Sequence, residues 1–196
     1  MEIILATQND HKLQEVRDIL GKDIVFSIVS AKEKYNDNTD IDEHGSSFEE
    51  NSLIKAYHYY NLRKVPVLAD DSGLEIDFLD KKPGLHSSRF LVNLSYKEKC
   101  KEVLKLLKDA PFEKRTARFI CSACYINNGI IFFSRGIIKG YIGYEYKGSF
   151  GFGYDPIFYL PECNKTLAEI PEEEKNKISH RALAFSKLKK YLTDRF

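Results

Sequence analysis

The chain of 196 residues carries 30 Lys and Arg against 29 Asp and Glu, is 43% apolar, and holds 13 Phe and 12 Tyr. A formal net charge of +1 offers no global field to hold a polyanion, and this apolar, nearly neutral composition is the opposite of a disordered chain. Surface scaling gives about 33,000 Å² for the unfolded chain and about 9,500 Å² when folded, enough burial for one cored domain spanning residues 1–196.

Glu2–Thr7 reads as a strand rich in Ile and Leu. The polar stretch Gln8–Lys12 follows, and Leu13, Val16 and Leu20 then recur at helical spacing up to Gly21. Tyr35–Ser47 is an acidic loop opening a second helix, on which Phe48, Leu53, Ile54 and Tyr57 fit one apolar face. Val65–Ala69 reads as a short strand interrupted by Asp70-Asp71-Ser72-Gly73, so the two carboxylates are expected at a strand end. Lys97–Lys108 is an amphipathic surface helix, and Thr116–Asn127, Ile130–Phe133 and Ile137–Tyr144 read as three successive strands. Six of the eleven glycines fall between Gly136 and Gly153, which predicts close backbone approach or positive φ around a ligand loop. A last helix begins near Ser179, with Ile178, Ala182, Phe185, Leu188 and Leu192 as its apolar stripe. The result is a mixed α/β chain without repeats or linkers.

The longest apolar runs, such as Ile3–Ala6, are four residues, against the roughly 20 that span a bilayer. The start MEIILATQND lacks the basic leader and apolar stretch of a secretory signal, and the four cysteines read as reduced thiols. Neither membrane nor nucleic acid polymer is an expected partner, and the cytoplasm is the expected compartment. Cys121 and Cys124 form a CxxC, but on an alternating strand they point to opposite faces and read as buried small residues, not metal ligands.

Thr7-Gln8-Asn9-Asp10-His11-Lys12 offers a hydroxyl, amides, a cation and the free N–H groups of a helix start, the inventory that holds phosphate oxygens. Taken alone, the segment reads first as an ordinary cap at Asn9 or Asp10 beside a solvated Lys12. Carboxylates cluster at Asp40, Asp42, Glu43, Glu49 and Glu50, and again at Asp70, Asp71, Glu75 and Asp77. Magnesium takes one or two carboxylates plus phosphate oxygens, so one residue from each cluster would suffice; Asp40, Asp42 and Glu49 read as a solvated loop. The adjacent Asp70 and Asp71 repel each other and predict a nearby cation or a raised pKa. Ser149–Pro156 combines glycines, flat aromatics and Asp155, either a base-stacking loop or core aromatics between turns. Lys175, Lys177, His180 and Arg181 gather where the last helix begins. Cations there oppose the helix dipole, which hints at an anion; a solvated basic face is the alternative.

In this order the segments TQNDHK (Thr7–Lys12), DEHGSSFEENSLIKA (Asp42–Ala56), ADDSGLEID (Ala69–Asp77), PGLHSSRF (Pro83–Phe90), GFGYDPIF (Gly151–Phe158) and EEKNKISHRALA (Glu173–Ala184) resemble the inosine triphosphate pyrophosphatase (Ham1-like) family over nearly the whole chain. That resemblance implies an elongated central mixed β-sheet flanked by helices, two lobes with a cleft between them, and a homodimer. It implies hydrolysis of non-standard purine nucleoside triphosphates (ITP, dITP, XTP) to a monophosphate and pyrophosphate, with Mg2+ as cofactor and Mn2+ as a substitute. Thr7, Gln8, Asn9, Asp10, His11, Lys12 and Lys55 would bind the triphosphate, with Ser72 and Arg89 also touching substrate. Glu43 and Asp71 would hold the metal. Asp71 would be the general base, with Lys12 and Asp70 supporting it. Phe152, Gly153, Tyr154, Asp155 and Lys175 would receive the base, and His180 and Arg181 would favour a 6-keto oxygen. The first motif of the family usually has Gly where this chain has Gln8, which leaves the role of that side chain open.

Two other readings compete. A nucleotide-binding regulator or RNA-contacting module could use the same aromatic and basic elements without turnover, and would not need Asp70, Asp71 or Glu43. A diphosphatase or phosphatase would cut at another phosphoanhydride bond and release orthophosphate.

Overall fold

Seven strands form one sheet in the computed structural model, which describes residues 1–21 and 26–195. The strands are β1 (Glu2–Leu5), β2 (Ser27–Ser30), β3 (Val67–Ile76), β4 (Thr116–Asn127), β5 (Ile130–Ile142), β6 (Phe158–Leu160) and β7 (Lys165–Thr166). The helices are α1 (Asp10–Leu20), α2 (Ala31–Tyr35), α3 (Phe48–Arg63), α4 (Tyr96–Leu106), α5 (Glu172–Ile178) and α6 (His180–Thr193). The sheet order is β2-β1-β3-β4-β5-β6-β7, and the sheet is mixed: β1 runs parallel to β2 and β3, while β6 is antiparallel to β5 and β7. No described helix is long and apolar enough to cross a membrane.

The chain divides into two compact units, one built from Met1–Ser72, Cys121–Gly136 and Ser179–Phe196, the other from Gly73–Ile120 and Ile137–Ile178. In the first unit β1 lies between β2 and β3, with Ile3 opposite Ile28 and Leu5 opposite Leu68. Successive side chains leave a strand on opposite faces, so β1 and β3 are buried twice over. Ile3, Leu5 and Leu68 pack with Leu13, Val16 and Leu20 of α1 and Phe185, Leu188 and Leu192 of α6. Ile4, Ala6, Val67 and Ala69 pack with Ala56 and Tyr59 of α3. The pleat divides the cysteines in the same way, Cys121 joining the α1/α6 side and Cys124 the α3 side, both fully buried. Burial pushes the Cys124 thiol up to about 12, so it is inert at neutral pH.

In the second unit Leu74, Ile76, Phe119, Ile142, Ile157 and Phe158 form a core with Cys100, Val103 and Leu107 from α4 and the residue following it. The guanidinium of the buried Arg115 donates to the carbonyls of Leu107, Ile142 and Gly143, so its charge is matched by three dipoles.

Four features depart from the sequence pattern. β3 does not stop at Ala69 but continues through Asp70-Asp71-Ser72 to Ile76, so the carboxylates stand inside a strand, not at its end. Ile130–Phe133 and Ile137–Tyr144 are one strand, because Ser134, Arg135 and Gly136 stay paired; Ser134 Oγ donates to the Ala184 carbonyl at 2.9 Å. On α3 the buried face is Phe48, Asn51, Ser52, Lys55, Ala56 and Tyr59, whereas Tyr57 is exposed and Leu53 and Ile54 only half-buried. Ile178 ends α5, a separate short helix that also carries Lys175, and is exposed instead of joining the α6 stripe. β2 and α2 have no counterpart in the apolar pattern.

Candidate functional site

The register of β3 on β1 decides where the polar residues of the first unit collect. The Ala6 amide donates to the Leu68 carbonyl, so Asp70 and Asp71 lie beyond the carboxyl end of β1, level with the turn into α1. In parallel sheets that edge is where ligands are held. Asn9 caps α1, its Oδ1 accepting from the amides of His11 and Lys12, and the Thr7 hydroxyl accepts from the Asn9 amide. Lys12 is thereby fixed on the first turn. Asp10 and His11 point outward and are exposed.

Adjacent residues of a strand face opposite ways, and β3 uses this to separate two carboxylates that would otherwise repel. Asp70 faces α1 and α6: its Oδ2 is 3.1 Å from Lys12 Nζ and 3.2 Å from Arg181 Nη2. Arg181 also donates to Glu15 Oε2 at 2.5 Å and to the Ser72 hydroxyl at 2.9 Å. Full burial alone would raise the Asp70 carboxyl, but the charges of Lys12, Arg181 and Lys55 outweigh it and hold it well below its ordinary value. Burial likewise opposes the Arg181 charge, and Asp70 and Glu15 more than compensate. Oδ1 of Asp70 is buried with no hydrogen-bond partner among the described residues.

Asp71 faces α3. Asn51 Nδ2 donates to its Oδ2 at 3.0 Å, and Lys55 Nζ lies 3.4 Å from its Oδ1. The same ammonium is 3.1 Å from Glu43 Oε1, so a carboxylate of the acidic loop and one of β3 converge on a single cation. Burial opposes the Lys55 charge, but Asp71, Glu43 and Asp70 together raise its pKa. Asn51 also accepts the Gly45 amide at 2.8 Å and so ties the acidic loop to the strand. A Cβ at Gly45 would stand 2.6 Å from Asn51 Oδ1, so this approach requires glycine.

In the second unit the loop before β6 is organised by Asp155. Its Oδ2 accepts the Phe152 amide at 2.9 Å and the Lys175 ammonium at 2.7 Å, and both charged side chains are almost fully buried. The ammonium stands 5.0 Å from the centre of the Phe152 ring, within cation–π range. Tyr154 is a core residue: it is 2% exposed, its hydroxyl donates to the Ser87 carbonyl at 3.1 Å, and its ring meets Tyr96 edge-on. Gly153 follows with positive φ, its carbonyl facing Cys100 Sγ. Arg89 is exposed.

The residues expected to act together therefore fall into three groups: Lys12, Asp70, Ser72 and Arg181 on one face of β3; Glu43, Lys55 and Asp71 on the other; Phe152, Asp155 and Lys175 in the second unit. His180 is buried as the first residue of α6, behind the Ser179 cap. The sequence pattern gives no warning of Asn51 or Glu15. Their only signal is a polar residue standing inside a buried helical stripe, Glu15 beside Leu13 and Val16. Among the described residues no three His, Cys, Asp or Glu side chains form a metal cage. Glu43 and Asp71, two hard-oxygen donors sharing one cation, are nevertheless the number of carboxylates magnesium uses beside phosphate.

The model of the Ham1 family matches residues 3–191. The dITP/XTP pyrophosphatase of Dictyoglomus thermophilum is 48% identical over 192 residues, covering 97% of this chain and 93% of that protein. That of Halalkalibacterium halodurans is 47% identical over 195 residues, covering 97% and 98%. Among solved structures, a HAM1 protein from Coxiella burnetii superposes with a TM-score of 0.89 at 40% identity over 99% of each chain. The Staphylococcus aureus Ham1 protein does so at 0.88 and 32% identity over 100% of each.

Proposed function

The chain belongs to the Ham1 family, and from that premise we propose that it hydrolyses non-standard purine nucleoside triphosphates (dITP, XTP and ITP) to the monophosphate and pyrophosphate, with Mg2+. The observation that carries the proposal is the convergence of Glu43 and Asp71 on Lys55, beyond the carboxyl end of β1 where Lys12 leaves the first turn of α1. Two carboxylates and two lysines are the inventory of phosphoryl transfer, in which the protein positions groups and offsets charge.

Glu43 and Asp71 are assigned to the metal. When bound, the ion neutralises phosphate charge and orients a water. Asp71 accepts the proton of the water that attacks the α-phosphorus, and Asn51 holds that carboxylate in place. Lys12 and Lys55 offset charge on the leaving pyrophosphate, with Thr7, Asn9 and the α1 amides receiving phosphate oxygens. Base recognition is assigned to Phe152, Asp155 and Lys175, with His180 and Arg181 favouring a 6-keto oxygen. A substrate lacking the matching acceptor leaves buried donors unpaired. Family likeness alone supports assigning the protein to the cytoplasm and to a homodimer.

The test is to incubate the purified protein with Mg2+ and, separately, dITP, ITP, XTP, ATP and GTP, resolving pyrophosphate from orthophosphate. Pyrophosphate from the first three, far less from ATP and GTP, and none after chelation is the expected result. Orthophosphate would move the cut to another bond, and no turnover with any triphosphate would favour a binding module.

A further inference from the structure

Gln8 stands where the strand β1 hands over to the cap of α1, and its side chain turns away from that helix. Its Nε2 lies 3.1 Å from the Asp37 carbonyl, 3.4 Å from the Thr39 carbonyl and 3.5 Å from the Tyr59 hydroxyl. The acceptors are presented by a built turn. Asn36 takes the left-handed conformation that ends α2, and the Asp37 carboxylate accepts the Thr39 amide at 3.0 Å, curling residues 37–39 into an Asx turn. Tyr59 is 1% exposed on α3, one turn beyond Lys55. Residues 37–39 lead directly into the segment that carries Glu43. One side-chain amide thus joins the turn bearing Lys12, the loop bearing Glu43 and the helix bearing Lys55.

We propose that Gln8 is a positioning residue whose amide pins the acidic loop against the β1–α1 turn, so that Glu43 is held in place for a divalent cation without Gln8 touching substrate. An amide NH2 supplies two donors, and here carbonyls of two different residues face them. Glycine at this position would leave the 37–39 turn untied, so holding the loop is a role the side chain adds. The inference rests on the assignment of Glu43 and Asp71 to the metal made above.

The experiment titrates Mn2+ into the nucleotide-free full chain by calorimetry, for the unmodified protein, Gln8→Ala and Gln8→Glu, and measures kcat and KM for dITP at saturating metal. Supporting groups behind metal ligands typically change affinity by about 10-fold or more when removed, so Gln8→Ala is expected to weaken Mn2+ binding by about 10-fold. Gln8→Glu, near in shape but presenting an acceptor to two carbonyls, should weaken it further, while kcat at saturating metal stays within about two-fold of the unmodified protein. Gln8 is exposed, so both variants should fold, and a thermal melt checks this. Unchanged Mn2+ affinity in both variants overturns the proposal. So does a raised KM for dITP with Mn2+ binding intact, which would make Gln8 a substrate contact. An unmodified chain that binds no Mn2+ overturns the metal assignment and this proposal together, whereas orthophosphate as product overturns only the reaction.

Discussion

Arg181 and Asp70, 111 positions apart in the chain, meet inside the first unit with Nη2 3.2 Å from Oδ2 and side chains 2% and 0% exposed. A buried pair of this kind adds little over an apolar filling, because both charges lose their water, but removing one partner strands the other. Arg181 serves two carboxylates, since Glu15 takes Nη1 on its other side. Arg181→Met should therefore lower unfolding stability by about 3–5 kcal/mol in urea titration. A loss under about 1 kcal/mol would show that Asp70 and Glu15 do not depend on the guanidinium.

The same pair gives a pH dependence of definite sign. The Asp70 carboxyl lies below its ordinary 3.8 in the folded chain and returns to that value on unfolding. A depressed acid stabilises the fold above its unfolded pKa, and the contribution is lost as the medium is acidified below about 4. Asp70→Asn should flatten the fall in stability between about pH 4 and pH 2, followed by denaturant midpoints at each pH. An equally steep fall in the variant would assign acid sensitivity to other carboxylates.

Sequence pattern located the chemistry better than it located the faces. Asn9 as cap, Lys12, the Glu43 loop and the CxxC split between two faces were legible, because capping and strand alternation are local rules. The continuation of β3 through Asp70-Asp71-Ser72 was not, because propensity disfavours consecutive acids in a strand. Tertiary cations overrule it: Lys12 and Arg181 meet Asp70 on one face, and Lys55 meets Asp71 on the other. For the same reason α3 buries Asn51, Ser52 and Lys55 in preference to Leu53 and Ile54, since those polar groups serve Asp71 and the acidic loop. Arg181 looked like a helix-end cation. Only the approach of α6 to β3 shows that its partners come from α1 and β3.

Asp71 is the proposed proton acceptor, and Asn51 and Lys55 hold its two oxygens. Asp71→Asn keeps the shape and removes the base. A general base contributes about 10²- to 10⁴-fold, so kcat for dITP should fall by about that factor while nucleotide binding, read by fluorescence with a non-hydrolysable analogue, stays within a few-fold. Activity that survives the change would place the base elsewhere or favour a binding module.

Lys175 and Asp155 are both nearly sealed from water, and the Phe152 amide shares the same carboxylate oxygen. Lys175→Met leaves Asp155 buried against one amide donor, which should loosen the loop that carries the Phe152 ring. The expected result is a KM for dITP raised by about 10-fold with kcat less affected, and a smaller ratio of kcat/KM for dITP over dATP. An unchanged ratio would remove this loop from base discrimination.

Gly136 lies within β5 where α6 crosses it. A Cβ there would overlap the His180 carbonyl oxygen and stand 2.6 Å from the Ala184 amide nitrogen, both backbone atoms that cannot rotate aside. The neighbouring Ser134 hydroxyl already donates to the Ala184 carbonyl, so strand and helix are fixed at this distance by a hydrogen bond as well as by contact. Gly136→Ala must push α6 outward, and with it Arg181, whose donors reach Asp70 and Glu15. Overpacking of this kind costs about 1–3 kcal/mol, and misplacing the Arg181 network should bring the loss to the upper end of that range, read as a lower urea midpoint with unchanged slope. Gly140, also within β5, meets the Tyr159 carbonyl and the Phe158 ring, away from Arg181. Gly140→Ala should therefore destabilise without weakening the Arg181 network, whereas Gly136→Ala combined with Arg181→Met should lose less than the sum of the two alone. Additive losses in that pair would separate the α6 crossing from the buried charges.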